Sequence, residues 1–372
     1  MTMNKNLLHN DQFYYQVDNH NTVSKNEAFM LANGDVSKIS FYQQNHIWDN
    51  VNLSVEPEQS FSSLCEENCK LYRQHYDHVC VWLSSGYDSQ TILKSFIDSG
   101  ALIDEIAFKD RSEYYSDPEV PFIEQSIRNY QRYYNPRVKI NRVKIDLKYH
   151  ENFYNKYAES IWYLGPGSNL RYTKSTANYI LNFHDEFVQS KIKQHTRVDI
   201  FGKDKPKLDL RNGKWYVQSN DLVYFDIIGA PVECFYCNKL LPELHMKQIH
   251  MSIRFFESLN NLTHELVHQI QSNDVAYYEQ WNLALGRYPI NCVQSKDSSI
   301  KSNFANNLKS KDAVKLINHL QKTTKQVQNV EGYRSDFLKD LPDPTIDLHQ
   351  WISGKDWFIR EQQVTIPCNQ NQ

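Results

Sequence analysis

Residues 79–89 read Val79-Cys80-Val81-Trp82-Leu83-Ser84-Ser85-Gly86-Tyr87-Asp88-Ser89, and the segment TILKSFIDSG, Thr91 to Gly100, follows almost at once. The unbroken apolar run predicts a strand buried on both faces. The Ser/Gly turn leads straight into helical periodicity that stops at Gly100, a common helix terminator. Upstream, Ser60 predicts the start of a helix that ends near His78. Downstream, Ile103–Phe108 reads as a second strand, Asp117 and Pro118 open a helix to about Tyr134, and Val138–Ile145 reads as a third strand. Strands and helices alternating across short joints predict an α/β fold built on a doubly wound parallel sheet.

The flanks read differently. Residues 12–53 alternate aromatic and polar positions around the turn-forming pair Asn33-Gly34, which predicts a small β-rich amino-terminal piece over 1–58. Within a core spanning 59–230, a helix from about 150 to 163, a loop at Gly165–Ser168, a helix from Thr173, a strand Arg197–Phe201 and a hairpin at 214–226 are expected. Helical periodicity at 239–285 and Leu308–Gln321, with a short strand at Asp356–Ile359, makes 231–372 a mostly helical region.

Composition narrows the class. Apolar residues at 40% and aromatics at 13% of 372 residues exclude a disordered chain, and Gly 11 with Pro 12 excludes collagen and low-complexity linkers. A net charge of -3 carries no global basic excess that would advertise nucleic acid. No apolar run approaches the roughly 18 residues that span a bilayer, and MTMNKNLLHNDQFYYQ lacks a secretory apolar core, so no membrane partner and a cytoplasmic location are expected. Seven Cys over this length suit reduced thiols better than a disulfide framework.

A buried strand that turns through Ser and Gly into a helix aims backbone N–H groups and the positive helix end at an anion. Ser84, Ser85, Gly86, Tyr87 and Ser89 are the expected donors, and Asp88 would position a metal or orient the loop. The competing reading is an ordinary strand-to-helix turn, which needs fewer Ser and Gly. The anion reading is favoured.

The segment Ser84–Ser89 resembles the SGGxDS pyrophosphate loop of the PP-loop ATP pyrophosphatase superfamily, which includes asparagine synthetase and the thiolating and queuosine-pathway enzymes. It departs at Ser85, where the family usually has Gly and where a Cβ is therefore added near the phosphates. No GxxxxGK[ST] loop is present. More widely, Tyr76–Cys80, Phe201-Gly-Lys-Asp-Lys-Pro206 and Glu233–His250 are similar to segments of asparagine-synthetase-like PP-loop proteins of tailed bacteriophages. The resemblance implies ATP and Mg²⁺ as cofactors, attack at the α-phosphate, and release of pyrophosphate. It implies Lys203 and Lys205 beside the leaving group, Asp88 and Asp204 as Mg²⁺ ligands, and Ala107 and Phe108 at an adenine-reading edge. Arg171 and Lys174 would close over ATP or receive an acceptor. That acceptor would be a small molecule or a nucleic acid, with an amine or sulfur donor, in the host cytoplasm if the chain is phage-encoded. Met1 is followed by Thr2, so the amino-terminal Cys nucleophile of asparagine synthetase is not expected.

Three other patterns compete for attention. His264-Glu265-Leu266-Val267-His268 matches the HExxH zinc motif, yet no third ligand is apparent nearby, so an amphipathic helix without zinc is expected and a zinc hydrolase is the alternative. Cys234-Phe-Tyr-Cys237, followed by His245 and His250, has metal-like spacing only in its first half and reads as buried thiols. Seven Lys between 296 and 325 face Asp297 and Asp312 alone, which suits a solvated helix face or a nucleic-acid contact.

Overall fold

The computed structural model describes residues 13–22, 28, 31–33, 35–43, 48–110, 112, 119–144, 196–202, 205–219, 232–237, 239–271, 277–287 and 360–364. Lys203, Asp204, Arg171, Lys174, the helices expected at 150–163, Thr173 and Leu308–Gln321, and the Lys-rich stretch lie outside them. Among the described residues no helix is long and apolar enough to cross a membrane.

The protein is α/β, organised on a five-stranded parallel sheet. Helix α1 (Phe61–His75) is capped by Ser60, whose hydroxyl accepts from Ser63 N–H at 3.1 Å, as expected of that serine. Strand β4 (His78–Trp82) follows, then α2 (Tyr87–Ser99), β5 (Glu105–Asp110), α3 (Glu119–Tyr133) and β6 (Lys139–Lys144). Two later strands, β7 (Arg197–Phe201) and β10 (Val232–Cys234), complete the sheet in the order β10-β7-β4-β5-β6. The chain runs from β4 outward to β6, then returns to β7 on the other side of β4. The gap between β4 and β7 is therefore the topological switch point, where open α/β sheets leave a crevice at the carboxyl ends of their strands.

Alternation along the strands divides the faces. Val79, Val81, Ile106, Phe108, Val198 and Ile200 pack with residues of α1, α2 and α3 in one hydrophobic cluster. The opposite side of the same strands buries charge: Arg197 donates to Asp199 through Nε (2.7 Å) and Nη2 (2.9 Å) and to Glu105 through Nη1 (3.1 Å). His78, Asn141 and Trp82 complete this network, Trp82 Nε1 donating to Asp199 at 2.7 Å. The network stitches β7, β4, β5 and β6 side by side.

A second cluster lies beyond the sheet. Strands β8 (Lys207–Arg211) and β9 (Lys214–Ser219) form a hairpin joined at Asn212-Gly213, both with positive φ (50° and 72°), as a two-residue primed turn requires. The hairpin expected at 214–226 thus sits earlier, because that Asn-Gly pair sets the turn. Strand β11 (Arg360–Val364) pairs with β9, leaving β8 at an edge among the described residues. Helices α4 (Pro242–Glu257), α5 (His264–Gln271) and α6 (Tyr277–Ala284) bury Ile249, Phe256, Val267, Ile270 and Trp281 against Leu208, Trp215 and Val217. The boundary expected at residue 230 runs between β7 and β10, which are neighbours in one sheet. At the amino end, β1 (Phe13–Val17) pairs with β2 (His20–Thr22) and β3 (Ile39–Gln43). The β1–β2 turn lies at Asp18, with φ 50°, and the chain turns again where Asn33 was expected to turn it, Asn33 having φ 51° and Asp35 N–H bonding the Ala32 carbonyl at 3.1 Å.

Candidate anion site at the sheet switch point

The loop after β4 is held by its own hydroxyls. Ser84 N–H donates to Ser89 Oγ at 2.9 Å, Ser89 Oγ donates to the Ser84 carbonyl at 2.9 Å, and Gln90 Nε2 donates to that carbonyl at 2.7 Å. Ser84 through Asp88 are half-buried while Ser89 is buried, so the rim of the loop faces outward and its base is locked. Helix α2 begins at Tyr87, with no side chain capping its amino end.

Gly202, just past β7, explains how the crevice is shaped. A Cβ on it would stand 2.8 Å from Asp88 Cβ and 2.9 Å from the Ser89 nitrogen, so the loop passes where only hydrogen fits. Gly202→Ala is expected to lower stability by about 1–3 kcal/mol, because backbone rather than a flexible side chain must move. It should also displace the loop. Urea melts of both proteins check this, and coincident melting curves would show that the loop yields freely.

Asp88, the expected metal ligand, lies between two cations. Its Oδ1 accepts from Arg287 Nη1 at 2.7 Å and its Oδ2 lies 3.3 Å from Lys205 Nζ. Both oxygens are engaged by cations, so Asp88 ties the loop to Lys205 and Arg287 in this arrangement. Lys205 arrives at the loop as expected, but it also donates to Tyr278 Oη (2.9 Å) and Asn282 Oδ1 (2.8 Å). Its three donors are thereby used, and it acts as a fixed positive charge that holds Asp88.

Arg287, Tyr236, Gln248, Tyr278 and Asn282 escaped sequence reasoning. Arg287 is fully buried, lies 4.3 Å above the Tyr236 ring and also donates to Gln248 Oε1. Gly286, with φ +69°, ends α6 and turns the chain, Arg287 N–H bonding back to the Asn282 carbonyl at 3.1 Å. Tyr236 Oη donates to the Asp88 carbonyl at 2.8 Å, and burial pushes its hydroxyl well above the ordinary range, so it stays a neutral donor. Arg287 Nε is buried with no hydrogen-bond partner among the described residues. Within the segment Glu233–His250, Gln248 holds this arginine, while Lys247 and His250 bond the carbonyls of Pro57 and Leu53 at 2.9 Å each.

Ala107 and Phe108 lie in β5, fully and almost fully buried. The Ala107 carbonyl accepts Leu83 N–H at 2.8 Å, so one of the backbone groups expected at a base-reading edge is used in the sheet. Cys234 is buried and Cys237 half-buried. His245 faces the Tyr236 carbonyl at 3.2 Å and burial takes its pKa down to about 4, keeping the ring neutral. Among the described residues, no metal-like grouping includes these cysteines or histidines.

No protein-family model and no curated protein matches the chain.

Proposed function

We propose that the protein is an ATP pyrophosphatase of the PP-loop type, with the doubly wound core and cytoplasmic setting that go with it. The observation that carries this reading is the Ser84–Ser89 loop and open amino end of α2 at the switch point of a parallel sheet, with Gly202 pressed against them. The half-buried rim would receive the β and γ phosphates of ATP. Mg²⁺ would come with the nucleotide on its own phosphates, and no step is assigned to it.

In this reaction an acceptor oxygen, from a carboxylate, amide or nucleobase carbonyl, bonds to the α-phosphorus. The bond from that phosphorus to the bridging oxygen breaks, and its electron pair leaves with pyrophosphate. A nitrogen or sulfur nucleophile then displaces AMP. Charge builds on the leaving group, where the helix end and the fixed charge of Lys205 are worth most. Turnover of ATP labelled at the α or γ position, with ammonia, amino acids and nucleic acid supplied as acceptors, is expected to yield AMP and pyrophosphate. Lys205→Met should lower kcat by about 10²-fold or more while weakening ATP binding less, because the charge it meets grows toward the transition state. ADP and orthophosphate as products would overturn the adenylation reading. Calorimetric binding of a non-hydrolysable analogue without AMP formation would reduce the protein to a nucleotide-binding module.

A further inference from the structure

The HELVH segment forms α5, and its two histidines, one turn apart, carry their rings to the same side with centroids 4.4 Å apart. The third ligand missing from the sequence comes from another element. Asp209 of β8 places Oδ1 2.7 Å from His264 Nδ1 and 3.4 Å from His268 Nε2. One ligand atom from each residue lies within 4.8 Å of the other two. A zinc–nitrogen bond of about 2.0–2.1 Å sets tetrahedral ligand atoms roughly 3.3 Å apart, so the two distances to Asp209 already bracket the requirement. We infer that Asp209, His264 and His268 bind a divalent transition metal of the zinc type.

The alternative is a plain ion-pair cluster, and the geometry disfavours it. Arg211 already pairs with the other oxygen, Oδ2, of Asp209, so the buried carboxylate has its cation. Two imidazoles converging on the remaining oxygen are redundant as counterions and would repel each other if both were charged. With both rings neutral, the nitrogens that face Asp209 Oδ1 hydrogen-bond it, and a metal ion would replace those protons on the same three atoms. Arg211 then serves as the outer partner that orients the ligating carboxylate.

The scaffold is stiff where it must be. Gln271 bonds both backbone groups of Leu208 at 2.8 Å, and Val267 and Ile270 are fully buried, which fixes α5 on β8. The side chains of His264 and His268 remain 46% and 37% exposed, leaving room for water to complete the coordination. Two nitrogens and one oxygen select zinc, cobalt or nickel over magnesium or calcium. The motif's glutamate does not join: Glu265 is exposed, and its carboxylate bonds the first turn of its own helix and Thr263. The arrangement is a metal site without the general base of a zinc peptidase.

The test is calorimetric titration of chelator-stripped full-length protein with Zn²⁺, repeated with Co²⁺ while recording its visible spectrum and with Mg²⁺ as the control. One Zn²⁺ per chain with micromolar or tighter affinity is expected, and little Mg²⁺ binding. Arg211→Gln should weaken Zn²⁺ about 10–100-fold as an outer partner, whereas His264→Ala and His268→Ala should each exceed that loss. Asp209→Asn risks unfolding, so the two exposed histidines carry the test, with unchanged melting as proof of folding. Zn²⁺ binding undiminished in both histidine variants, or absent at millimolar metal in the parent, overturns the inference. So does Mg²⁺ binding as tightly as Zn²⁺.

Discussion

Arg197→Leu is expected to destabilise the protein by about 3–5 kcal/mol, enough to unfold many domains of ordinary stability. Its guanidinium is the cation between Asp199 and Glu105, and all three side chains are wholly buried. Removing it leaves two buried carboxylates without their shared guanidinium, Asp199 held by Trp82 and Glu105 by His78 and Asn141 alone. The pH dependence makes the prediction sharper. Burial by itself would raise the Glu105 pKa, but His78, Arg197 and Asn141 together hold the carboxyl well below the usual range. A folded-state pKa below the unfolded one gives stability that is present above the unfolded value and lost as pH falls toward the folded one. In the variant Glu105 keeps its burial but loses the lowering by Arg197, so its contribution above the ordinary glutamate range shrinks. The difference between the proteins should therefore be widest near neutral pH and should narrow below the ordinary glutamate range. Urea melts at neutral and acid pH check this; a loss under about 1 kcal/mol, equal at both, would mean that the network is not coupled.

Arg287→Met is expected to combine a stability loss of about 3 kcal/mol with a drop in ATP-analogue affinity of roughly 10–100-fold. The first effect follows from leaving Asp88 with Lys205 alone and Gln248 Oε1 without its donor. The second follows from loosening the first turn of α2, whose N–H groups would face the phosphates. Arg287→Lys should rescue little, because a point charge cannot reach Asp88 and Gln248 at once while lying on Tyr236. Calorimetry and thermal melting of both variants decide the matter. Unchanged affinity with a full stability loss would make Arg287 a structural strut only.

The parallel sheet was readable because β4, β5 and their helices change period between 2 and 3.6 within a few residues, and because Ser60 and Gly100 punctuate them. The loop was readable for the same reason. What surrounds the loop was not: Asp88 and Arg287 are 199 positions apart, and an arginine after a helix carries no local mark of a partner that distant. Arg197 read only as the first residue of a strand, since alternation shows which face a residue takes but not which charges wait there. Asp209 escaped as a ligand because the hairpin that delivers it was expected a few residues too late. The Asn212-Gly213 signal was present and would have corrected the register.

The amide of Gln271 does more than locate a helix. An edge strand offers unpaired N–H and C=O groups to any passing chain, and among the described residues β8 is such an edge. By bonding both groups of Leu208, Gln271 stands in for one residue of a missing neighbour strand, and α5 behind it bars the approach of a real one. Detachment of this short helix would therefore expose a ready template for pairing between copies of the chain, so that one side-chain amide guards the protein against association along its own edge.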